Sequence, residues 1–416
     1  MVAGRIRARA GARLTQTALT PDAAACLETL LAQRTDGNRR FFAQEAERLA
    51  RLCHLMAERF ARGGRLIAFG RSPADRSDAR HVAVEFVHPV IVGKRALPAI
   101  GLAGEGGDLR SQVELIIGAE DIAIAFGADR DGGEAAAAVA LARERGCLTI
   151  AFAPAGAEWE FVPPSDDQQV RQELIETLYH VLWELVHVFF EHRGLLSGRD
   201  KPRSHDAGAS SFLYPFLAER EDNLDQVLDD VRRSVLMKSE DVGALRTQTL
   251  TENGPALIAA ADALLGNLRR GGTLLALGNG GSATDAADAV ADFRTPGPGA
   301  SAGWPAIDLT EDTGIITAIA NDIGPEAIFS RQVIAYGRSG DVLLALSTSG
   351  NSVNMIEALA EARRRGMVTI AMVGYDGGQV FAEGLADHVI VTRSQHIPRI
   401  QEAQASAYHA LRELVG

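Results

Sequence analysis

The hydrophobic positions of the chain fall into two kinds of segment that alternate along its length. Short, continuously apolar segments end in glycine or serine, as within residues 61–70 and 269–278, and longer amphipathic segments lie between them. Continuous apolar runs are typical of strands buried on both faces, and long amphipathic segments are typical of helices. The alternation predicts an α/β protein whose parallel sheet is covered by helices on both faces.

The pattern occurs twice, with related sequence in the same order. The matched pairs are residues 61–70 with 269–278, 97–100 with 304–307, 118–127 with 338–347, 140–152 with 358–372, and 171–186 with 400–415. Each copy is predicted to contain helices, a strand, a helix, two strands, a helix, a strand and a long terminal helix. The spacing between the copies grows after the second pair, which indicates extra residues around 310–335 in the second copy.

Composition shifts along the chain predict its domains. Residues 1–21 are rich in arginine and lack an apolar core, so we expect a disordered tail, with an organelle transit peptide as the alternative. Residues 22–197 and 212–416 are the two predicted domains, and the polar, Gly-, Pro- and Ser-containing segment 198–211 is the predicted linker. Each domain is expected to be a doubly wound parallel sheet of the flavodoxin-like, three-layer kind with N-terminal helices.

Charge and cysteine content narrow the function classes. The 416 residues carry a net charge of −12, which disfavours nucleic-acid binding by the bulk surface but leaves room for a local phosphate pocket. The 3 cysteines are far apart and form no zinc or disulfide pattern, which indicates a reducing, cytoplasmic setting. No apolar run reaches the length of a membrane span, so we expect no membrane partner.

Two turns in the second copy are candidate anion sites. Residues 278–282 (GNGGS) and 347–352 (STSGNS) each follow an apolar strand and precede a helix. Small residues with free backbone N–H groups at a helix N-terminus favour a phosphate. Both turns are predicted at the carboxyl edge of one parallel sheet, where ligands bind in such folds. The alternative is that the Ser and Asn side chains only cap the helices.

These motifs also carry a family resemblance. GNGGSATDAADAVADF, STSGNSVNMIEALAEARRRGM and RIQEAQASAYHALRELV resemble the sugar isomerase (SIS) fold and, within it, the phosphoheptose isomerase family. The resemblance covers most of 215–416 and is fainter over 30–192, a degenerate copy. It implies that the sugar phosphate is held by Gly280, Ser282, Ser347, Thr348, Ser349 and Ser352. It also implies that Asn279, Gln401 and the Asn321-Asp322 pair contact the sugar.

The resemblance further implies a divalent metal, usually zinc. Its ligands are a His and a Glu four residues apart on the helix after the first turn, and a Gln and a His eight apart on the last helix. The second copy keeps Gln401 and His409 but has Asp288 and Asp292 in place of the His and Glu. Two shorter aspartates weaken a zinc site; alternatively, they form a solvated helix face.

The first copy departs in the opposite way. It lacks the phosphate turns, yet it has a complete set of metal candidates, which are His81, Glu85, Gln172 and His180. We predict that this set binds a metal, and the alternative is that its members are inherited but idle. Because each copy lacks what the other keeps, one composite pocket is a hypothesis: Glu85 as enolising base, His180 as its acid partner, and the second-copy turns as the phosphate anchor.

The predicted function is isomerisation of a ketose phosphate to an aldose phosphate through an enediol, with sedoheptulose 7-phosphate as the expected substrate. If the two half-sites lie too far apart, the second copy would act alone through Asp292 and His409. The rival function is a non-catalytic sugar-phosphate-binding regulator or scaffold; an ammonia-transferring enzyme of the amino-sugar type is disfavoured, because no glutaminase domain is evident. We expect two chains to form a homodimer that buries apolar helices such as 174–190.

Overall fold

Helix α1 begins at Pro21, where the predicted tail ends, in a computed structural model that describes residues 21–90, 94–102, 107–128, 132–191, 196, 223–297 and 301–416. The rest of the predicted tail and the predicted linker 198–211 lie outside the described residues. Among the helices in these ranges, none is both long enough and apolar enough to cross a membrane.

The first half contains five strands and five helices in the described residues. They are α1 (Pro21–Ala61), β1 (Leu66–Phe69), α2 (Pro73–Val87), β2 (Ala99–Leu102), α3 (Leu109–Ile116), β3 (Ile122–Ala125), α4 (Glu134–Glu144), β4 (Leu148–Ala151), β5 (Trp159–Glu160) and α5 (Gln168–Glu191).

The second half repeats this order with additions. Its elements are α6 (Leu224–Glu252), α7 (Gly254–Arg269), β6 (Leu274–Leu277), α8 (Gly281–Arg294), β7 (Ala306–Asp308), α9 (Thr313–Asp322), a 3-10 turn (Pro325–Ala327), α10 (Ser330–Tyr336), β8 (Val342–Ser347), α11 (Val353–Arg364), β9 (Val368–Gly374), α12 (Gly378–Ala382), β10 (His388–Thr392) and α13 (Ile397–Val415). Helix α9 and the 3-10 turn occupy the segment where the sequence predicted extra residues.

Each half forms a parallel sheet in the same strand order. The order is β2-β1-β3-β4-β5 in the first half and β7-β6-β8-β9-β10 in the second, and every described strand pair is parallel. This is the flavodoxin-like order, so the predicted tandem of doubly wound α/β domains is confirmed. The turns after β6 and β8 meet at the switch point of the second sheet, where such folds bind ligands.

Two features of this topology were not predicted. The second and third strands lie on opposite sides of the first strand, and parallel strands need a crossover connection. A helix therefore joins them in each half, α3 in one and α10 in the other. A fifth strand, β5 or β10, also extends each sheet at the far edge.

The entry helix of each half contributes to the cores of both halves. Val227, Val231 and Val235 of α6 lie in the core of the first half, and Leu27 and Leu30 of α1 lie in the core of the second half. Each core is therefore completed by a helix from the other copy. The two halves are therefore joined by an interface of helices.

The expectation that chain association buries residues 174–190 is wrong. Within a single chain, Leu174, Leu178, Trp183 and Phe189 of α5 already have no more than 1% of their surface exposed. The apolar face of α5 is used inside the chain, because α5 packs against α1, α2 and α13. Association of two chains stays a prediction.

Glu173 of α5 joins both halves through buried charges. Its Oε1 accepts hydrogen bonds from Arg34 Nε and His409 Nδ1, both at 2.8 Å, and its Oε2 lies 3.8 Å from Arg246 Nε. Burial opposes ionisation of this carboxyl, but Arg34, His409 and Arg246 outweigh burial and lower the pKa of Glu173 to about 2. The carboxylate therefore neutralises cations from α1, α6 and α13 at once.

We expect Glu173→Gln to lower the free energy of unfolding by about 3–5 kcal/mol, because it leaves buried cations without their counter-charge. The folded pKa lies below the ordinary value of 4.5, so this stabilisation is present above pH 4.5 and is lost as the pH falls toward 2. Urea unfolding at pH 7 and at lower pH measures both effects. Asp36→Asn, in the exposed pair with Arg39, is the control and should cost under about 1 kcal/mol; an equal loss in both variants would contradict the assignment.

Candidate functional site

The first turn of the second copy opens directly onto a helix N-terminus. Gly280 precedes α8 with φ 60°, a conformation that favours glycine, and no side chain caps the helix there. Ser282 is buried in the first turn of α8, and Asn279 is exposed. The N–H groups at this end of α8 therefore have no side-chain cap competing for them.

The second turn lies beside the first. Ser352 precedes α11 and makes no side-chain capping hydrogen bond, whereas Ser347 Oγ accepts hydrogen bonds from the N–H groups of Ser349 (3.3 Å) and Gly350 (3.1 Å). Asn279 and Asn354 exchange two side-chain hydrogen bonds of 2.9 Å, which hold the two turns together. Thr348 and Ser349 are half-buried. The alternative that these residues only cap helices finds no side-chain cap at α8 or α11 to support it.

The corresponding place in the first copy is closed by the chain itself. Ser72 and Asp75 form a capping box at the start of α2: Ser72 Oγ accepts the Asp75 N–H at 3.2 Å, and Asp75 Oδ2 accepts the Ser72 N–H at 3.0 Å. A Cβ placed on Gly127, at the end of β3, would lie 2.1 Å from an Asp75 oxygen. A carboxylate thus lies between the two first-copy turns, where it repels any second anion.

His81 on α2 and His180 on α5 meet with their Nε2 atoms 3.3 Å apart. His180 Nδ1 donates to Glu402 Oε1 at 2.9 Å, and His81 Nδ1 lies 3.0 Å from the Tyr179 hydroxyl. When both Nδ1 atoms carry the proton, toward the Glu402 carboxylate and the Tyr179 hydroxyl, the two Nε2 lone pairs point toward each other. Burial lowers the pKa of both imidazoles, that of His180 to about 3, so neither ring is charged at pH 7.

This geometry fits a metal ion. Two ligands at the usual Zn–N distance of about 2.0–2.1 Å in a tetrahedral site are themselves about 3.3 Å apart. One donor atom from each of His81, His180 and Glu176 lies within 4.8 Å of the other two, and within the part of the chain that the structure describes this is the one such group. Neutral, buried lone pairs that face each other at this distance favour a cation between them.

The glutamine next to this pair belongs to the other copy. Gln401 Nε2 on α13 lies 3.3 Å from His81 Nε2, and Gln401 Oε1 is buried without a partner. Amide oxygen and nitrogen are exchanged by a 180° flip, which would direct the oxygen to the same point. Gln172, the glutamine predicted as a ligand, lines a small cavity with Asp75 and Gly127 on the first-copy side, and its role in metal binding stays a prediction.

His81 and Gln401 also lie against the first phosphate turn of the second copy. A Cβ on Gly281 would lie 2.0 Å from Gln401 Nε2 and 2.8 Å from His81 Nε2, so only glycine fits there. Gln404, one turn further along α13 than Gln401, donates to the carbonyl of Ser347 at 3.0 Å. First-copy imidazoles and second-copy turns thus surround the same stretch of α13. These contacts support the composite pocket.

Glu85 lies one helical turn from His81 on α2. Its Oε1 is 3.9 Å from His81 Nε2, and its Oε2 is buried without a hydrogen-bond partner. Burial, then repulsion from Glu184 and Glu402, raises the pKa of Glu85 to about 8. A carboxyl with a raised pKa and an oxygen without a hydrogen-bond partner can accept and return a proton near neutral pH.

The equivalent position, where His409 of the second copy takes the place of His180, carries an ion pair instead. His409 Nδ1 donates to Glu173 at 2.8 Å, and His409 Nε2 lies 3.3 Å from Asp292 Oδ2. Burial opposes the charge on His409, but Asp292 and Glu173 outweigh burial and raise its pKa to about 9. An imidazolium held between two carboxylates has no lone pair for a metal. The alternative of a solvated helix face is wrong for Asp288, which is 4% exposed, and Asp292 is half-buried.

The predicted sugar contacts Asn321 and Asp322 lie apart from these groups. Both are exposed at the end of α9, and Asn321 Nδ2 donates to Asp322 Oδ1 at 2.7 Å. Asp322 lines a groove with Ile319, Ile323 and Gln332 rather than with either turn. Within one described chain the structure does not bring this pair to the site.

Three residues that hold the site were missed by the sequence reasoning. Glu402 and Tyr179 position the two imidazoles, and Glu176 lies next to both of them. Each is the neighbour, on its helix, of a residue that the family pattern does contain. The available signal was helical periodicity: Glu176 and His180 are four residues apart and share one face of α5.

Comparison with known proteins shows the family to which the chain belongs. Residues 239–374 match the model of the SIS domain. A phosphoheptose isomerase from Roseiflexus sp. (strain RS-1) is 40% identical over 192 residues, which are 45% of this chain and 91% of that protein. The chain belongs to the phosphoheptose isomerase family. The family resemblance of the sequence motifs is therefore confirmed.

Two solved structures cover nearly the whole chain and show its fold. The C-terminal domain of glucosamine-fructose-6-phosphate aminotransferase from Francisella tularensis has a TM-score of 0.59 at 9% identity and covers 94% of each chain. The tagatose-6-phosphate ketose/aldose isomerase from Escherichia coli has a TM-score of 0.54 at 14% identity, again with 94% of each chain. The tandem arrangement of two SIS-like domains thus occurs in other proteins, whereas the phosphoheptose isomerase relative spans the length of one domain.

Proposed function

We propose that the chain is a phosphosugar isomerase with one composite active site, which converts a ketose phosphate to an aldose phosphate. The observation that carries this proposal is the meeting of first-copy His81 with second-copy Gln401 beside Gly281 of the first phosphate turn. Kinship with phosphoheptose isomerases supports sedoheptulose 7-phosphate as the substrate.

His81, His180 and Gln401 would hold a divalent metal, and their nitrogen and amide-oxygen donors suit zinc. When bound, the metal supplies Lewis-acid polarisation of the sugar carbonyl. The Glu402 carboxylate fixes the tautomer of His180, and it is itself held by Arg399 at 2.6 Å. His180 was expected as the acid partner; with Nδ1 bonded to Glu402 and Nε2 facing His81, it is better suited to be a ligand.

Glu85 is the proposed enolising base. It would take the proton from the carbon next to the carbonyl and return it to the neighbouring carbon, which exchanges ketose for aldose through an enediol. The turns at α8 and α11 would anchor the phosphate through backbone N–H groups and serine hydroxyls, with help from both helix dipoles. The equivalent position around His409 would be inactive, because Asp75 closes the first-copy turn and His409 is held in an ion pair.

A turnover assay decides between catalysis and mere binding. Purified chain, reloaded with zinc after chelation, should convert sedoheptulose 7-phosphate to heptose 7-phosphate, and chelation should abolish turnover. NMR of the sugar in D₂O should show exchange of deuterium onto the enolised carbon. Tight binding without turnover or exchange, at any metal loading, would contradict the isomerase and favour the sugar-phosphate-binding regulator.

A further inference from the structure

Glu176 is a buried carboxylate that the expected ligand set does not contain. It lies on α5 one helical turn before His180, so the two side chains share one face of the helix. The position aligned with Glu176 in the second copy is Ala405, when Gln172 is matched to Gln401 and His180 to His409. The carboxylate is therefore present only in the copy that also keeps His81.

We propose that Glu176 is the carboxylate ligand of the metal held by His81 and His180, and that this leaves Glu85 free to act as the base. This inference rests on the metal site of the proposed function. It assigns to two residues the two tasks, metal binding and proton transfer, that the family pattern gives to one glutamate.

Contact with both imidazoles favours Glu176 over Glu85 as the ligand. A Glu176 oxygen lies within 4.8 Å of a donor atom on His81 and of one on His180, whereas Glu85 Oε1 is 3.9 Å from His81 Nε2 but is not part of a group with both rings. A Glu176 oxygen would supply the carboxylate ligand beside the two imidazole nitrogens, at a Zn–O distance of about 2.0–2.2 Å. Glu85 would then lie beside the metal rather than on it.

The buried acidic surroundings of Glu176 also favour a bound cation. The residue is 3% exposed, its Oε1 has no hydrogen-bond partner, and Asp285, Asp288 and Glu402 lie near it. Burying an unpartnered carboxylate among others is costly unless it binds a proton or a metal ion. Two imidazole lone pairs directed to the same place favour the metal ion.

The test measures metal affinity in the full chain, apart from activity. Zinc dissociation constants are obtained by competition with a chromophoric chelator for wild type, Glu176→Ala, Glu176→Gln and Glu85→Gln. Loss of a ligand should weaken zinc binding at least about 100-fold in both Glu176 variants, since even outer-shell changes cost about 10–100-fold. Glu85→Gln should bind zinc within a few-fold of wild type. Glu47→Ala, an exposed glutamate on α1, is the matched control and should bind as wild type.

Folding is checked separately by thermal unfolding of the apo chains. Glu176→Ala should not lower the apo Tm, because alanine stands at the aligned position of the second copy and the change removes a buried carboxyl whose Oε1 has no hydrogen-bond partner. Wild-type affinity in both Glu176 variants would overturn this inference but leave the proposed function standing. A loss in Ala but not in Gln would also overturn it, because that pattern indicates packing. If the wild-type chain itself does not bind zinc, the metal site of the proposed function is refuted, and so is the assignment of Glu176 as its ligand.

Discussion

Replacing Glu85 by glutamine should lower kcat by about 10²–10⁴-fold while the affinity for the sugar phosphate changes only a few-fold. Glutamine has the same shape but cannot accept the proton from the sugar carbon, which is the contribution expected of a positioned general base. The phosphate anchor lies in the second-copy turns and remains intact. Steady-state kinetics with sedoheptulose 7-phosphate and a direct binding titration with the same sugar measure the two effects separately.

The matched control is Asp292→Asn, the same change at the aligned position of the second copy. Asp292 pairs with His409 in the closed half of the interface, so its loss should leave kcat within a few-fold of wild type. The reverse result, full activity in Glu85→Gln and none in Asp292→Asn, would move catalysis to the second copy. Equal losses in both variants with a lowered Tm would indicate a structural effect and count against the assignment of Glu85.

The internal repeat was the strongest predictor of the fold. Five matched segments in one order are enough to predict two parallel sheets, because each strand and helix is encoded by its local hydrophobic pattern. The helix between the second and third strands was not predicted. That helix follows from strand order in space, which local pattern does not report.

The residue types of the site could be predicted from the sequence, but not which residues of the two copies lie next to each other. The family resemblance implied that Gln172 and His180 act together, although residues eight apart on a helix are separated by about 12 Å along its axis. The partner of His81 is decided by how α2 and α5 meet α13 across the interface, and this long-range packing brings Gln401 to it. Glu176 was missed for a similar reason, because only the packing of α5 against α2 brings its carboxyl to His81.

The capping of α2 was also beyond a motif comparison. GRSPADRS differs from GNGGS mainly by loss of glycines, which predicts a weaker phosphate turn. The structure shows a stronger effect, since Ser72 and Asp75 satisfy the helix N–H groups and place a carboxylate beside Gly127. The first-copy turn is therefore filled rather than merely altered.

The second large effect is expected at the phosphate anchor. Ser349→Asp places a carboxylate in the turn before α11, next to the phosphate position. At about 4 Å and an effective dielectric of about 20, repulsion from each phosphate charge is about 4 kcal/mol, so affinity for the sugar phosphate should fall by about 1,000-fold or more. Isothermal titration with the sugar phosphate measures it. The effect should weaken at high salt only modestly, because the half-buried turn is poorly screened.

Ser339→Asp provides the matched control, because it adds the same charge at the opposite end of the same strand. Ser339 is exposed and precedes β8, whereas Ser349 follows it, so a strand of six residues separates the two positions. Affinity in Ser339→Asp should match wild type, which excludes net charge as the cause. Ser349→Ala removes a single hydroxyl donor to a charged group. It should lower the affinity for the sugar phosphate by about 10–100-fold, an effect between those of Ser339→Asp and Ser349→Asp. If Ser349→Asp binds the sugar phosphate as tightly as wild type, the phosphate does not lie in this turn, and the composite site loses its anchor.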